Sequence, residues 1–210
     1  MRICVFGASS TAMDKKYTDA AYHLGGLMAE RGIGLVYGGG AQGIMGATAR
    51  GMTAGGGEVI GVTPKFFDVD GVIYEHNTQF IYTDTMRERK QTMEDLADAF
   101  IVGPGGFGTL EEFFEILTLK QLERHAKAIV VLNTDGYYDE LLEFIEFAMN
   151  EKTIKRACNI LYHVCSTPEE ALAYIDAYEP PTIHIKKLRD VGENLTYDSF
   201  QGGFSSGGAK

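Results

Sequence analysis

Seven short, β-rich apolar runs punctuate the chain: RICVFG, GLVYG, EVIGVT, QFIYT, AFIVG, AIVVLN and LYHVC. They are apolar at successive positions, which calls for burial on both faces of each strand. Helical patterns separate them, at residues 14–31, 43–53, 85–97, 109–122, 138–150 and 168–178. Strands of this kind alternating with helices specify a doubly wound, Rossmann-like α/β fold, a parallel sheet of about seven strands with helices on both faces. Right-handed crossovers bring every strand-to-helix turn to one end of such a sheet, the end that binds ligands. The glycines follow that logic, clustering after strands in FGASS, YGGGAQGIMG and VGPGGFGT.

A chain of 210 residues suits one sizeable domain better than two small ones. Residues 1–180 are expected to form it. Beyond Glu179, PPTIHIKKL offers a short alternating strand, and SFQGGFSSGGAK reads as a flexible Gly/Ser tail, so residues 181–210 form a C-terminal extension. The formal net charge of -10 disfavours nucleic acid and acidic membrane surfaces and leaves small molecules as the expected partners. Cys4, Cys158 and Cys165 form no CxxC pair and are odd in number, which fits a reducing compartment. MRICVFGASS is too short an apolar run for a signal peptide and no stretch approaches the roughly 20 apolar residues of a membrane span, so a cytoplasmic protein is expected. The five histidines show no HxxH or HExxH spacing, and no metal site is expected.

Gly38, Gly40 and Gly43 match GxGxxG, as do Gly103, Gly105 and Gly108. A dinucleotide fold also needs an acidic residue about 20 positions on, at the end of the next strand. The candidates, Glu58 at the start of a strand and Glu123 near a helix end, do not fit, and no GxxxxGK[ST] occurs. NAD and a nucleoside triphosphate loop are therefore set aside. A glycine turn before a helix N-terminus remains a good anion site, because unpaired N–H groups and the positive dipole end converge there. PGGFGT is read as a phosphate or carboxylate site, against a purely structural tight turn. GGGAQGIMG serves either an anion or close helix–sheet packing.

Thr109-Leu110-Glu111-Glu112 also forms a capping box, with Thr109 at the N-cap and Glu112 at N3, which would give Glu112 a purely structural task. Helical spacing puts Leu110, Phe113, Phe114, Leu117 and Gln121 on one face and Ile116 and Leu119 on a second, with Glu112 beside the second patch. Glu111 and Glu115 fall on the polar stripe between. A helix with two apolar faces needs a second cover, either another helix or a second subunit, and a homodimer is favoured. In TDTMRERKQTMEDLADA, Met86, Met93, Leu96 and Ala97 define an apolar face that contains Arg89 and borders on Lys90, whereas Arg87 points outward. An inward cation needs a partner. Arg89 either bridges to a carboxylate and locks two helices, or is aimed into the ligand cleft.

MRERK followed by PGGFGTLEE resembles the MxxRK and PGGxGTxxE signature of the Lonely Guy (LOG) family of cytokinin-activating phosphoribohydrolases, long mislabelled as lysine decarboxylases. The resemblance runs from about residue 2 to 178 and takes in VFGASS, YGGGAQGIMG and GVTPKFF. It implies hydrolysis of the N-glycosidic bond of AMP, or of an N6-substituted adenosine 5'-monophosphate, to free base and ribose 5-phosphate. No metal or organic cofactor is implied. Arg89 and Glu112 then become the catalytic pair, with Gly105, Gly106, Gly108 and Thr109 on the 5'-phosphate and Gly39, Gly40, Met86, Lys90 and Glu111 completing the substrate site. Burial would raise the Glu112 pKa, while the helix N-terminus and Arg89 would lower it.

Two departures accompany the resemblance. Arg87 stands where many relatives have His, and Gly71 stands where many carry a substrate-contacting glutamate, leaving Asp68, Asp70 or Glu75 as replacements. Two rivals share the architecture: a molybdenum-cofactor carrier, which has no need of the Arg89 and Glu112 pair, and a DNA-processing protein, disfavoured by the acidic balance. A decarboxylase would need a Schiff-base lysine for pyridoxal phosphate, for which Lys65 and Lys90 are the candidates near the loops.

Overall fold

The computed structural model describes residues 1–67, 71–181 and 185–188. Its strands are β1 (Arg2–Phe6), β2 (Gly34–Tyr37), β3 (Val59–Pro64), β4 (Gln79–Thr83), β5 (Ala99–Val102), β6 (Ala128–Leu132) and β7 (His163–Cys165). The helices are α1 (Lys15–Glu30), α2 (Gly43–Ala54), α3 (Met86–Leu96), α4 (Phe107–Gln121), α5 (Asp139–Asn150), α6 (Pro168–Asp176) and the single turn α7 (Ile185–Leu188). All seven strands are parallel, in the order β4-β3-β2-β1-β5-β6-β7.

Alternation along each strand sorts the core into two layers. Ile3 and Val5 of β1 pack with Leu24 and Met28 of α1, Met52 of α2 and Leu172 of α6. Cys4 and Phe6 turn the other way, toward Met93 of α3 and Phe113 and Ile116 of α4. α1 and α2 approach through glycines: a Cβ on Gly25 would stand 2.2 Å from the Thr48 carbonyl oxygen, and one on Gly51 2.1 Å from that of Tyr22. The strand order reverses between β1 and β5, the switch point beside which open α/β sheets bind ligands. There the Ala8 N–H donates to the Pro104 carbonyl (3.0 Å) and ties the two following loops together.

Three local expectations are corrected. The capping box does not form at Thr109 and Glu112, because α4 begins earlier: Gly106 is its N-cap, without a side-chain cap, and Thr109 and Glu112 lie inside the helix. The glycine turn has already set the helical path before the threonine is reached. On the same helix the buried residues are Thr109, Glu112, Phe113, Ile116 and Lys120, while Phe114, expected on the apolar face with Phe113, is 39% exposed. Capping boxes occur instead at Thr85 with Glu88 on α3 and at Thr167 with Glu170 on α6. Met86 leaves the apolar face of α3 for an exposed position in its first turn, whereas Met93 and Arg89 are buried. Finally, of PPTIHIKKL residues 182–184 lie outside the described residues, and residues 185–188 form the helical turn α7 where strand was expected. Leu188 packs against Cys158 and Leu161, and its carbonyl accepts from Gln121 Nε2 (2.9 Å). Asp68, Asp70 and the Gly/Ser tail lie outside the described residues.

Burying Lys120 has a measurable cost. Its Nζ has no hydrogen-bond partner among the described residues and sits 4.9 Å from the centre of the Tyr178 ring. Burial pushes its ammonium down to about 8 from an ordinary 10.5. Between pH 8 and 10.5 the unfolded chain holds a proton that the folded chain sheds, so stability rises with pH there and the full penalty is present below. Lys120→Met is expected to stabilise the protein by about 1 to 3 kcal/mol at neutral pH and to flatten that rise. Thermal melts across pH check this; a lower Tm would mean the Tyr178 contact outweighs desolvation.

Cys4, Cys158 and Cys165 are all buried and unpaired. Burial raises all three thiols, Cys4 well above the ordinary range and Cys165 to about 12. Among the described residues no helix is long and apolar enough to cross a membrane, and no cluster of three or more His, Cys, Asp or Glu could hold a metal.

Candidate active site

The capping box at Thr85 starts α3 beside the end of β4, and its fourth residue, Arg89, turns into the protein. Arg89 Nε donates to the Val62 carbonyl of β3 (3.1 Å), and Nη1 to Glu112 Oε1 on α4 (2.7 Å). Arg89 is 6% exposed and Glu112 9%. The guanidinium passes under the loop after β2, where a Cβ on Gly38 would lie 2.0 Å from Nη2. Gly38 is therefore a glycine because the arginine occupies its side-chain space. The bridging reading of Arg89 holds: it locks α3 to α4 near the ends of β3 and β4.

Glu112 carries two opposed influences. Burial pushes its carboxyl above the ordinary value, and Arg89 pulls it back down by charge and hydrogen bonding. Burial is the larger, so the net direction is up.

A second bridge flanks the first. Lys90 pairs with Glu111 and with Glu115 (2.8 Å), so two of the expected substrate residues, Lys90 and Glu111, hold each other across α3 and α4. Burial lowers the Lys90 ammonium, but its two carboxylate partners outweigh this and its net shift is upward. Lys65 is raised by its hydrogen bond to Asp84. A Schiff-base nucleophile needs the opposite shift.

The PGGFGT turn lies beside this pair. A Cβ on Gly105 would meet Thr109 Oγ1 at 2.1 Å, so this glycine lets the turn rest on the buried threonine. Gly106 and Gly108 face open space, and Phe107 between them is 94% exposed. The start of α4 is thus bare, as an anion site requires. Two residues that sequence reasoning missed hold the turn from behind: Tyr137 Oη donates to the Gly105 carbonyl (2.9 Å) and Tyr138 Oη to that of Gly103 (2.7 Å). The available signal was DGYY in the β6–α5 loop, which neighbouring parallel strands place next to the β5–α4 loop.

Gly39 and Gly40 lie farther along the same end of the sheet. Gly39 has φ +77° with the Phe80 ring beneath it. The connection between β3 and β4 crosses above: Tyr74 N–H donates to the Gly39 carbonyl (2.9 Å), Ala41 N–H to that of Val72 (2.8 Å), and Gly40 bridges to Ile73. Gly71, at φ +79°, precedes this crossing, and Glu75 is exposed. A cavity of ≈ 520 Å³ lined by Arg2, Gly34, Glu58 and Asp98 lies at the opposite end of the sheet and holds none of the candidate residues.

A family profile described as "Possible lysine decarboxylase" matches residues 45–175, which include α3, the PGGFGT turn and α4. A protein of Oryza sativa subsp. japonica named "Probable cytokinin riboside 5'-monophosphate phosphoribohydrolase LOGL5" is 41% identical over 180 residues, 86% of this chain and 73% of that one. The chain belongs to the LOG family. Another member, "Cytokinin riboside 5'-monophosphate phosphoribohydrolase LOG2" of Arabidopsis thaliana, is 39% identical over 85% of this chain and 84% of its own. Among solved structures, a molybdenum cofactor binding protein from Rippkaea orientalis superposes on this LOG chain with a TM-score of 0.65 and 25% identity, over 84% of this chain and 95% of that one. DNA processing protein A from Streptococcus pneumoniae shares the fold at a TM-score of 0.56 and 17% identity, over 84% and 62% of the two chains.

Proposed function

We propose that this LOG-family protein hydrolyses the N-glycosidic bond of AMP or of N6-substituted adenosine 5'-monophosphates, releasing the free base and ribose 5-phosphate. The observation that carries the reading is the buried Arg89–Glu112 pair beside the bare N-terminus of α4. Gly105, Gly106, Gly108 and Thr109 hold the 5'-phosphate and so fix the ribose, with Gly39, Gly40, Met86, Lys90 and Glu111 around the rest of the nucleotide. As the bond from C1' to the base breaks, positive charge grows on the ribose ring, and the Glu112 carboxylate stabilises it. Water adds its oxygen to C1', Glu112 accepts the water's proton, and that proton passes to the base nitrogen released from C1', so the base leaves neutral and Glu112 returns to the carboxylate. Arg89 keeps Glu112 aimed and offsets charge on the substrate.

Residues 1–180 carry this activity, with 181–210 as an extension. Phe114 on α4 and Phe144 and Phe147 on α5 are exposed, and a second copy of the chain covers such faces in a homodimer. The three unpaired thiols suit a reducing compartment, the cytoplasm. Chromatography for free base from AMP, from isopentenyladenosine monophosphate and from adenosine tests the reaction. Release is expected from the monophosphates and to be at least about a hundredfold slower from the nucleoside, since lost positioning is worth that much. No release from either monophosphate by folded protein sinks the reading and brings the cofactor-carrier alternative forward.

A further inference from the structure

The PGGFGT turn has a problem that its glycines do not solve. Each peptide unit carries a carbonyl as well as an N–H, and a carbonyl facing a phosphate repels it. A trans peptide points the two groups in opposite directions, so the group that holds a carbonyl also decides where the following N–H is aimed. Three consecutive carbonyls in this turn are held by other parts of the protein. The Gly103 carbonyl accepts from Tyr138 Oη (2.7 Å), Pro104 from the Ala8 N–H (3.0 Å), and Gly105 from Tyr137 Oη (2.9 Å).

These bonds have unequal consequences. The peptide after Gly103 leads into Pro104 and carries no N–H, so the Tyr138 bond to the Gly103 carbonyl aims no N–H; Tyr138 also lies against the Gly105 backbone, one peptide short of the Gly106 N–H. The peptide after Gly105 carries the N–H of Gly106, the N-cap of α4, and Gly106 borders open space. Tyr137, by drawing the Gly105 carbonyl back, turns that N–H outward to join the unpaired N–H groups of the first turn of α4. The Tyr137 ring is itself set by neighbours: Tyr17 of α1 meets it edge-on at 5.4 Å and Tyr138 at 4.8 Å. Lys16 pairs with Asp135 next to them, tying α1 to the same loop.

We propose that Tyr137 is a positioning residue for phosphate recognition, its hydroxyl withdrawing the Gly105 carbonyl so that the Gly106 N–H faces the 5'-phosphate. This rests on the reading of the turn as the 5'-phosphate site. Tyr138, by contrast, supports the turn without reaching the phosphate.

The test compares Tyr137→Phe with Tyr138→Phe. Ribose 5-phosphate binding is measured by calorimetry, kcat and KM with AMP, and Tm by thermal melting. Tyr137→Phe is expected to weaken ribose 5-phosphate and to raise KM for AMP, each by about five- to tenfold, with kcat within about twofold and Tm nearly unchanged. Tyr138→Phe is expected to lower Tm, because it strands a buried carbonyl, with a smaller effect on phosphate affinity. Equal effects of the two variants on binding, or wild-type binding by Tyr137→Phe, would overturn the proposal. So would wild-type protein that does not bind ribose 5-phosphate at all. Wild-type protein that binds ribose 5-phosphate in a Tyr137-dependent way yet releases no base would leave the proposal standing and remove the hydrolase reading.

Discussion

Glu112→Gln is expected to cut release of free base by about a thousandfold while leaving the fold intact. The amide has the shape of the carboxyl, and its oxygen still accepts from Arg89 Nη1, so the buried bridge keeps its hydrogen bond. What disappears is the charge that answers the growing positive charge on the ribose, together with the base that takes a proton from water. The pH profile gives an independent reading. The wild-type enzyme works as the carboxylate, so its activity falls as pH drops through the Glu112 pKa. Burial raises that pKa, so the acid limb lies above the ordinary glutamate value of 4.5. Residual activity of the Gln variant should lack the limb. A variant within tenfold of wild type, or one that keeps the limb, would remove Glu112 from the chemistry.

The second large effect is expected from a residue that contacts no substrate in this account. A Cβ on Gly38 would lie 2.0 Å from Arg89 Nη2 and 3.0 Å from Met45 Sδ. Methionine yields easily. Arg89 does not, because it is held by Glu112 and by the Val62 carbonyl and has little exposed surface through which to move. Gly38→Ala should displace the guanidinium, and with it Glu112. A displacement near 1 Å is worth about a hundredfold in kcat/KM, and the overpacking should destabilise the protein by about 1 to 3 kcal/mol. Steady-state kinetics with AMP together with a thermal melt measure both. Wild-type kcat/KM in this variant would mean that the pair tolerates displacement and that its geometry does not limit the reaction.

The architecture was readable because each central strand is buried on both faces, so its run of apolar residues stands out without help from its neighbours. Arg89 was readable for a related reason: a cation inside an apolar helical face is anomalous, whatever it pairs with. The start of α4 was not. TLEE satisfies a capping box locally, but the helix takes its beginning from Gly106; the exposure of Phe114 is a separate matter, set by what packs against α4. DGYY placed Tyr137 and Tyr138 near the turn without showing which carbonyls they hold, and the need for glycine at 38 could not be read at all, since each depends on segments far along the chain meeting at one end of the sheet. Local pattern reports which residues are buried; it does not report what they are buried against.

The three sequestered thiols give the molecule a built-in gauge of its own integrity. Cys4 lies in the central strand, Cys158 under α7 and Cys165 at the end of β7, each covered by other parts of the chain. A thiol that is both covered and slow to ionise reacts with an alkylating reagent only when its surroundings open. The rate of labelling therefore records how often the native structure comes apart, and at three separate places. A catalytically dead variant that alkylates at the wild-type rate has lost its chemistry, and one that alkylates faster has lost its architecture.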